Sequence, residues 1–378
     1  MKNVYLDNAS TTALRPEVIN AMANVMAQTY GNPSSTHSFG RHAKAVVENS
    51  RKVIAGLINA EAKEIIFTSG GTEAINWIIR SAARDLKVQR IITARTEHHA
   101  VLHAVEAMQS EYGITAEDVK LLQSGAVDVT SLVELLSDNV PTLVCLMHVN
   151  NETGTVLDID RVGRICKQYN AWFFTDTVQS IGKSGMDLQK IPVDFLVASA
   201  HKFHGPKGAG FAFIRKNSGL QPIIFGGEQE KGLRAGTEAV HQIAGMAKAL
   251  ELSYANLDAE RQHINDLKLY LITQLDIHFQ GYKINGASDN SNGQFYNIVN
   301  VLFPFDESKT AMILFHLDMR GIAVSRGSAC QSGSIRPSHV LREILTDEDI
   351  RKPSLRISLS HYNTREDIDL LVEALKAM

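Results

Sequence analysis

The sequence predicts an α/β fold, with a mainly parallel sheet covered by helices on both faces and a smaller α+β domain beside it. The first reason is rhythm. From residue 64 to residue 198, short apolar runs alternate with amphipathic stretches of helical spacing, the pattern of a parallel sheet buried on both sides. The second is size, because 378 residues exceed what one ordinary hydrophobic core organises. The third is composition: 44% hydrophobic and 21% charged residues are the proportions of a globular protein. A formal net charge of -3 gives no electrostatic case for a nucleic-acid or membrane partner. No apolar run is long enough to span a bilayer, and the N-terminal residues lack the apolar core of a secretory signal. The three cysteines, Cys145, Cys166 and Cys330, follow no disulfide spacing and point to a reducing cytoplasm.

Residues 6–12, LDNASTT, read as a polar loop ahead of a helix over 16–30 that starts on Pro16. The polar run 31–40 precedes a helix over 41–58, with Ser38 as its expected cap. Strands are expected over 64–67, 90–93, 119–122, 142–147, 172–175 and 193–198, where β-branched and aromatic residues cluster. Helices over 72–86, 99–109, 131–136 and 159–169 fall between successive members of the first five. A second apolar run, 210–214, follows the glycine-rich turn after Lys202. Helices over 237–257 and 259–275 lead into a mixed tail, with apolar runs at 295–302 and 355–359 and helical spacing at 308–318 and 364–376. This organisation predicts a large domain over 16–258 and a small one made of 1–15 and 259–378.

Ligands of such sheets sit at the carboxyl ends of the strands, and the chemistry-bearing segments all fall there. Thr68-Ser-Gly-Gly-Thr-Glu73 joins a strand to a helix, and its glycines let backbone amides converge at a helix N-terminus. Gly71 and Thr72 are therefore candidates for a phosphate cradle. A plain capped turn looks the same, and no Gly-Lys-Ser/Thr follows, so this is not a Walker loop. His98, in Glu97-His-His-Ala100, can stack on an aromatic ring or move protons, or be a satisfied strand-end histidine. His99 and His103 stand four apart but lack a third metal ligand of matching quality. Asn151 can hydrogen-bond a ring oxygen or close an Asx turn. Asp176 follows the apolar run 172–174, so its carboxylate needs a cation, either an arginine or a protonated pyridine nitrogen. Lys202, in SAHKFHGPKG, stands where an apolar strand ends, beside His201 and His204. Poor solvation and positive neighbours favour the neutral amine that forms a Schiff base; the plain alternative is a lysine snorkelling from a strand end. A phosphate cradle, a stacking histidine, an aspartate for a pyridinium and a strand-end lysine, in strand order, fit pyridoxal 5'-phosphate.

The motifs YLDNASTT, GNPSSTHSFGR, FTSGGTEAIN, TEHHAVL, HVNNETG, TDTVQSIGK, SAHKFHGPKG, GGEQEKGLRAGTEAV and SRGSACQSGSIRPSHVL span almost the whole chain. In them the sequence resembles the class V, fold-type I pyridoxal-phosphate enzymes, and among these the cysteine desulfurases of the NifS/IscS kind. The resemblance implies that Lys202 holds the cofactor as a Schiff base, that Asp176 pairs with its pyridine nitrogen and that His98 stacks on its ring. It implies Gln179 on the phenolic oxygen and Asn151 beside the ring. Gly71, Thr72, Ser199 and His201 would bind the phosphate, joined by Thr237 from the other subunit of a homodimer. Arg356 resembles the arginine that clamps the substrate carboxylate, a task suited to a bidentate fork; a surface arginine beside a strand is the plain alternative.

Cys330 lies in SRGSACQSGS, residues 325–334, which reads as a mobile, solvent-reachable loop, unlike the apolar settings of Cys145 and Cys166. The implied reaction frees L-alanine from L-cysteine: Lys202 takes the Cα proton, and the Cys330 thiolate takes the sulfur as a persulfide. The sulfur then passes to an acceptor protein, an iron–sulfur scaffold or a tRNA-thiolation enzyme. A selenocysteine lyase or related β-lyase is the alternative within the same cofactor class, and a non-catalytic binding protein of the same fold is the alternative outside it. The chain departs from the family's usual pattern at Ser360-His361, where Gly-Arg is usual, at Thr153, and at Thr177-Val178.

Overall fold

The computed structural model describes residues 2–286, 294–327 and 337–378, so the expectation for the segment around Cys330 lies outside the described residues. The chain order begins β1 (Val4–Tyr5), α1 (Pro16–Gln28), α2 (Ser38–Leu57), β2 (Ile65–Thr68), α3 (Gly71–Asp85), β3 (Arg90–Thr93), α4 (His99–Tyr112) and β4 (Thr115–Asp118). It continues with α5 (Val129–Leu136), β5 (Thr142–Cys145), α6 (Ile159–Gln168), β6 (Trp172–Asp176), β7 (Phe195–Ser199), β8 (Gly210–Ile214), α7 (Val240–Ala255) and α8 (Leu257–His278). The tail holds β9 (Lys283–Ile284), β10 (Ile298–Leu302), α9 (Ile313–Asp318), β11 (Ile322–Ala323), α10 (His339–Arg342), β12 (Ser354–Ser358) and α11 (Arg365–Lys376).

A seven-stranded sheet runs in the order β2-β8-β7-β6-β5-β3-β4. Strands β3 to β7 pair in parallel, whereas β8 is antiparallel to both of its neighbours. Alternate residues of each strand face opposite sides, which is why apolar runs rather than alternating ones were needed. Phe173, Val144 and Leu196 enter one core with α1, α2, α5, α6 and α7, while Phe174, Cys145 and Phe195 enter the other with α3 and α4. Fully burying a side chain such as Phe173 stabilises by about 1.5–3 kcal/mol. A third core gathers Val4 and Leu6 with residues of α8, β10, β12 and α11 around a three-stranded antiparallel sheet, β12-β10-β9. No helix among the described residues is long and apolar enough to cross a membrane.

Two local expectations shift. The strand expected over 119–122 is found at Thr115–Asp118, pairing among the described residues only with β3, at the edge of the sheet. An edge strand needs no apolar run on both faces, so the more hydrophobic residues after it misled the pattern; Val119 and Leu121 are instead drawn inward beyond the ladder. The α2 cap is His37, whose Nδ1 accepts from the Gly40 N–H at 3.3 Å, and Ser38 is the first helical residue.

The parallel register decides where function can sit. Asp176, last in β6, pairs with Val197, so Ser199 projects two residues beyond it and Lys202 follows on a short 3-10 turn, Ala200–Lys202.

Candidate active site

At the carboxyl ends of β5, β6 and β7 lies a cavity of about 300 Å³. Among the described residues, every candidate except Thr237 lines it. The N-terminus of α3 contributes Gly71 and Thr72, the start of α4 contributes His98, and the turn after β5 contributes Asn151. Asp176 and Gln179 come from the end of β6, Ser199, His201 and Lys202 from β7 and its turn, and Arg356 from β12. Thr237 is exposed on the stretch ahead of α7, and Cys330 is outside the described residues.

The cradle at α3 is shaped by glycine. Gly70 has φ +155, a conformation for which a side chain is unsuited, and a Cβ on Gly71 would stand 2.9 Å from Val178 Cγ2. The Lys202 Nζ donates to the carbonyls of Ala9 and Ser10 at 2.6 and 2.8 Å. These N-terminal carbonyls, the apolar wall of Ile75, Met147 and Val149, and Val178 are site components that the sequence reading missed. The only hint of the first pair was the polar run LDNASTT; a backbone carbonyl leaves no side-chain signature.

Asp176 is 7% exposed, accepts from the Val178 N–H at 2.9 Å, and has no ion-pair partner among the described residues. Burial pushes its carboxyl up to about 6, against the pull of the Val178 N–H and the Lys202 ammonium. The arginine partner weighed from sequence is absent from its surroundings among those residues. Gln179 Nε2 donates to the Ala9 carbonyl at 2.8 Å, while its Oε1 is buried without a partner. Glu97, another residue the sequence reading left without a role, accepts from the Met147 N–H at 2.7 Å, and burial holds its carboxyl well above the usual range.

His98 caps α4: its Nδ1 accepts from the Ala100 N–H at 3.1 Å, which leaves Nε2 to carry the proton of the neutral ring. Burial, then Lys202 and the neighbouring imidazoles, lower it to about 4. His201, whose Nδ1 lies 3.1 Å from Thr11 Oγ1, is lowered to about 4 by burial and Lys202. His148 and His204 are lowered to about 4 and about 3, chiefly by burial. All four folded values lie below the ordinary ~6.5. The folded state therefore binds fewer protons than the unfolded chain in the window below pH 6.5, and stability is lost as the pH falls through it. The four imidazoles together are expected to lower the denaturant midpoint as the pH falls from 6.5 to 4, most steeply in the middle of that window, against a smaller opposite contribution from the Asp176 carboxyl.

Arg356 is 1% exposed, so it is no surface arginine. Its Nη2 donates to Asp7 Oδ1 at 2.8 Å and to Ser10 Oγ at 2.6 Å, and its Nη1 donates to the Asn151 carbonyl at 2.9 Å. Its Nε is buried without a partner. Cys145 and Cys166 are buried free thiols, and burial raises both, which suits inert core residues. No group of three or more potential metal ligands is found among the described residues.

Comparison with known proteins finds relatives along nearly the whole chain. The aminotransferase class-V family profile matches residues 4–371. Over 377 residues the chain is 40% identical to the cysteine desulfurase IscS of Dictyoglomus turgidum, spanning 99% of this chain and 94% of that one. Among solved structures, a NifS-like protein superposes with a TM-score of 0.90 at 34% identity, covering 100% of this chain and 99% of the other. SspA, solved in complex with cysteine, superposes with a TM-score of 0.81 at 30% identity, covering 96% of this chain and 100% of the other. The chain belongs to the class-V aminotransferase family, on the branch of the IscS and NifS-like cysteine desulfurases.

Proposed function

We propose that this chain is a pyridoxal-phosphate-dependent cysteine desulfurase, freeing L-alanine from L-cysteine and passing the sulfur on. The observation that carries the cofactor assignment is Asp176, a buried carboxylate on the cavity wall with no ion-pair partner among the described residues. A pyridine nitrogen that gains a proton is the partner such a group requires. The unpartnered Gln179 Oε1 and the side-chain-free cradle at Gly70 and Gly71 suit the same group. When bound, the cofactor supplies an aldehyde carbon for an amine and an electron sink for charge at the substrate Cα.

The chain's own residues divide the remaining work. Lys202 attaches the cofactor and then moves the Cα proton; His98 gives a flat neutral face for the ring. Gly71, Thr72, Ser199 and His201 hold the phosphate, while Gln179 and Asn151 take the ring's oxygen side. Arg356 fixes the substrate carboxylate, with Asp7 and Ser10 setting its fork. The Cys330 thiolate takes the sulfur: the electrons of the broken C–S bond stay with the carbon, which gains a proton to become the methyl group of alanine. No external oxidant is required.

Residues 16–258 form the cofactor domain, and 1–15 with 259–378 the smaller one. The enzyme works as a homodimer, with Thr237 completing the phosphate site of the second copy. The exposure of Thr237 supports this, as do the exposed Ile19, Met26, Tyr30 and Phe39 along α1, the segment after it and the start of α2. The compartment is the cytoplasm, where free thiols persist, and the persulfide feeds an iron–sulfur scaffold or a tRNA-thiolation enzyme.

The test is direct: purified protein given L-cysteine should absorb visible light through its bound cofactor and form L-alanine. Colourless protein that makes no alanine when supplied with the cofactor would contradict the reading. Arg356→Gln should raise the KM for cysteine by about 10–100-fold, the loss of one charge-assisted contact worth about 1.5–3 kcal/mol, with a smaller change in kcat.

A further inference from the structure

Lys183 is a buried amine for which the roles above have no use. It closes the turn that runs on from Asp176 and Gln179. It is 8% exposed, and its Nζ has no hydrogen-bond partner among the described residues. An unpaired buried ammonium costs several kcal/mol, so packing alone does not explain a lysine here. The turn is pressed against the segment that carries Lys202: Gly182 has φ +76, and a Cβ on it would stand 2.9 Å from Phe203 Cβ. Lys183 lines a small cavity of about 20 Å³ with Phe203, His204 and Thr12. That volume has room for about one water. Thr12 ties this cavity to the site, since its hydroxyl donates to the His201 carbonyl and accepts from the His204 N–H.

The titratable groups around Lys183 are mostly cationic. Lys202 and His201 lie on the site side, and His204 and His361 face it across the small cavity together with Glu260. The Glu260 carboxylate is already engaged by Arg15 at 2.7 Å. On the outer side His148, Asp258 and Arg261 share a second cavity with it, yet no ion pair to Lys183 forms among the described residues. Burial, and then the charge on Lys202, bring the Lys183 amine down to about 7. Two amines that repel each other each hold a proton less readily.

We propose that Lys183 is a positioning residue that shares one charge with Lys202. Above neutral pH, Lys183 stays neutral while Lys202 is an ammonium. When Lys202 is engaged on the cofactor, Lys183 takes a proton from solvent, and its ammonium then opposes reprotonation of the Lys202 amine whenever that amine is set free. The idea rests on Lys202 being the attachment lysine, and the negative charge of the incoming phosphate works in the same direction.

The experiment is a proton count. Full-length protein stripped of cofactor is titrated with pyridoxal 5'-phosphate in a calorimeter, in buffers of different ionisation heat at the same pH. Between pH 7 and 9 the wild type should take up more protons than Lys183→Met, by a difference approaching one. The wild-type excess should shrink below pH 7, where Lys183 is already charged. Lys183→Gln serves as the second variant if the first does not fold, and the wild-type pH trend is itself diagnostic if neither does. Equal counts in wild type and variant, or a wild-type uptake that does not change across pH 7, would overturn the proposal. Borohydride reduction followed by peptide mapping tests the attachment to Lys202 separately, so the two failures are distinguishable.

Discussion

Asp176→Asn is expected to lower cysteine turnover by about 10²–10³-fold, the scale of losing one preorganised electrostatic partner, while making the cofactor-free protein more stable at neutral pH. The two effects share one cause. In the folded protein the carboxyl titrates at about 6, against an ordinary value of ~3.9 for the unfolded chain. Below pH 4 the group is neutral in both states and costs nothing. Between those values the unfolded chain has released its proton and the folded one has not, so stability falls as the pH rises. Above pH 6 the full penalty, about 3 kcal/mol, remains. The asparagine removes that penalty together with the charge that the pyridine nitrogen needs. Denaturant melts should thus place the variant above the wild type at pH 7 and level with it at pH 4. A variant that is no more stable and keeps full turnover would contradict the pairing assigned to Asp176.

Cys330→Ala should lower alanine formation from L-cysteine by at least about 10³-fold, as removal of a nucleophile does, and leave the visible absorption of the bound cofactor unchanged. The separation of the two readouts matters. The cofactor is held by groups of the sheet, whereas the thiol belongs to another part of the chain and acts only on the substrate sulfur. A Cys330→Ala protein that loads an acceptor with sulfur at the wild-type rate would remove the relay. One that loses cysteine turnover but still acts on selenocysteine would point to the lyase chemistry instead.

Most of the sheet could be read from the sequence because parallel strands buried on both faces must be apolar throughout, and each ends where a polar motif begins. That same rule located Lys202, Asp176, His98 and the α3 cradle on one cavity. It failed at β4, where an edge strand of Thr115–Asp118 carries no apolar requirement. It was also silent on groups without a side-chain signature. The carbonyls of Ala9 and Ser10 that receive Lys202 come from a stretch almost two hundred residues away in sequence, and no local pattern announces them. Asp7 is a similar case, because its value lies in meeting Arg356 across the chain. Lys183 was visible only as one residue of a motif; its meaning depends on the absence of a counter-charge, which requires coordinates. The Cys330 assignment rests on sequence and chemistry.

The measurement closest to the central claim is chemical fixation of the cofactor. Borohydride reduction of the coloured enzyme, followed by proteolysis and mass spectrometry, should place the reduced pyridoxyl group on the peptide containing Lys202 and on no other lysine. An adduct on another lysine, Lys183 included, or a coloured protein that yields no adduct at all, would contradict the account.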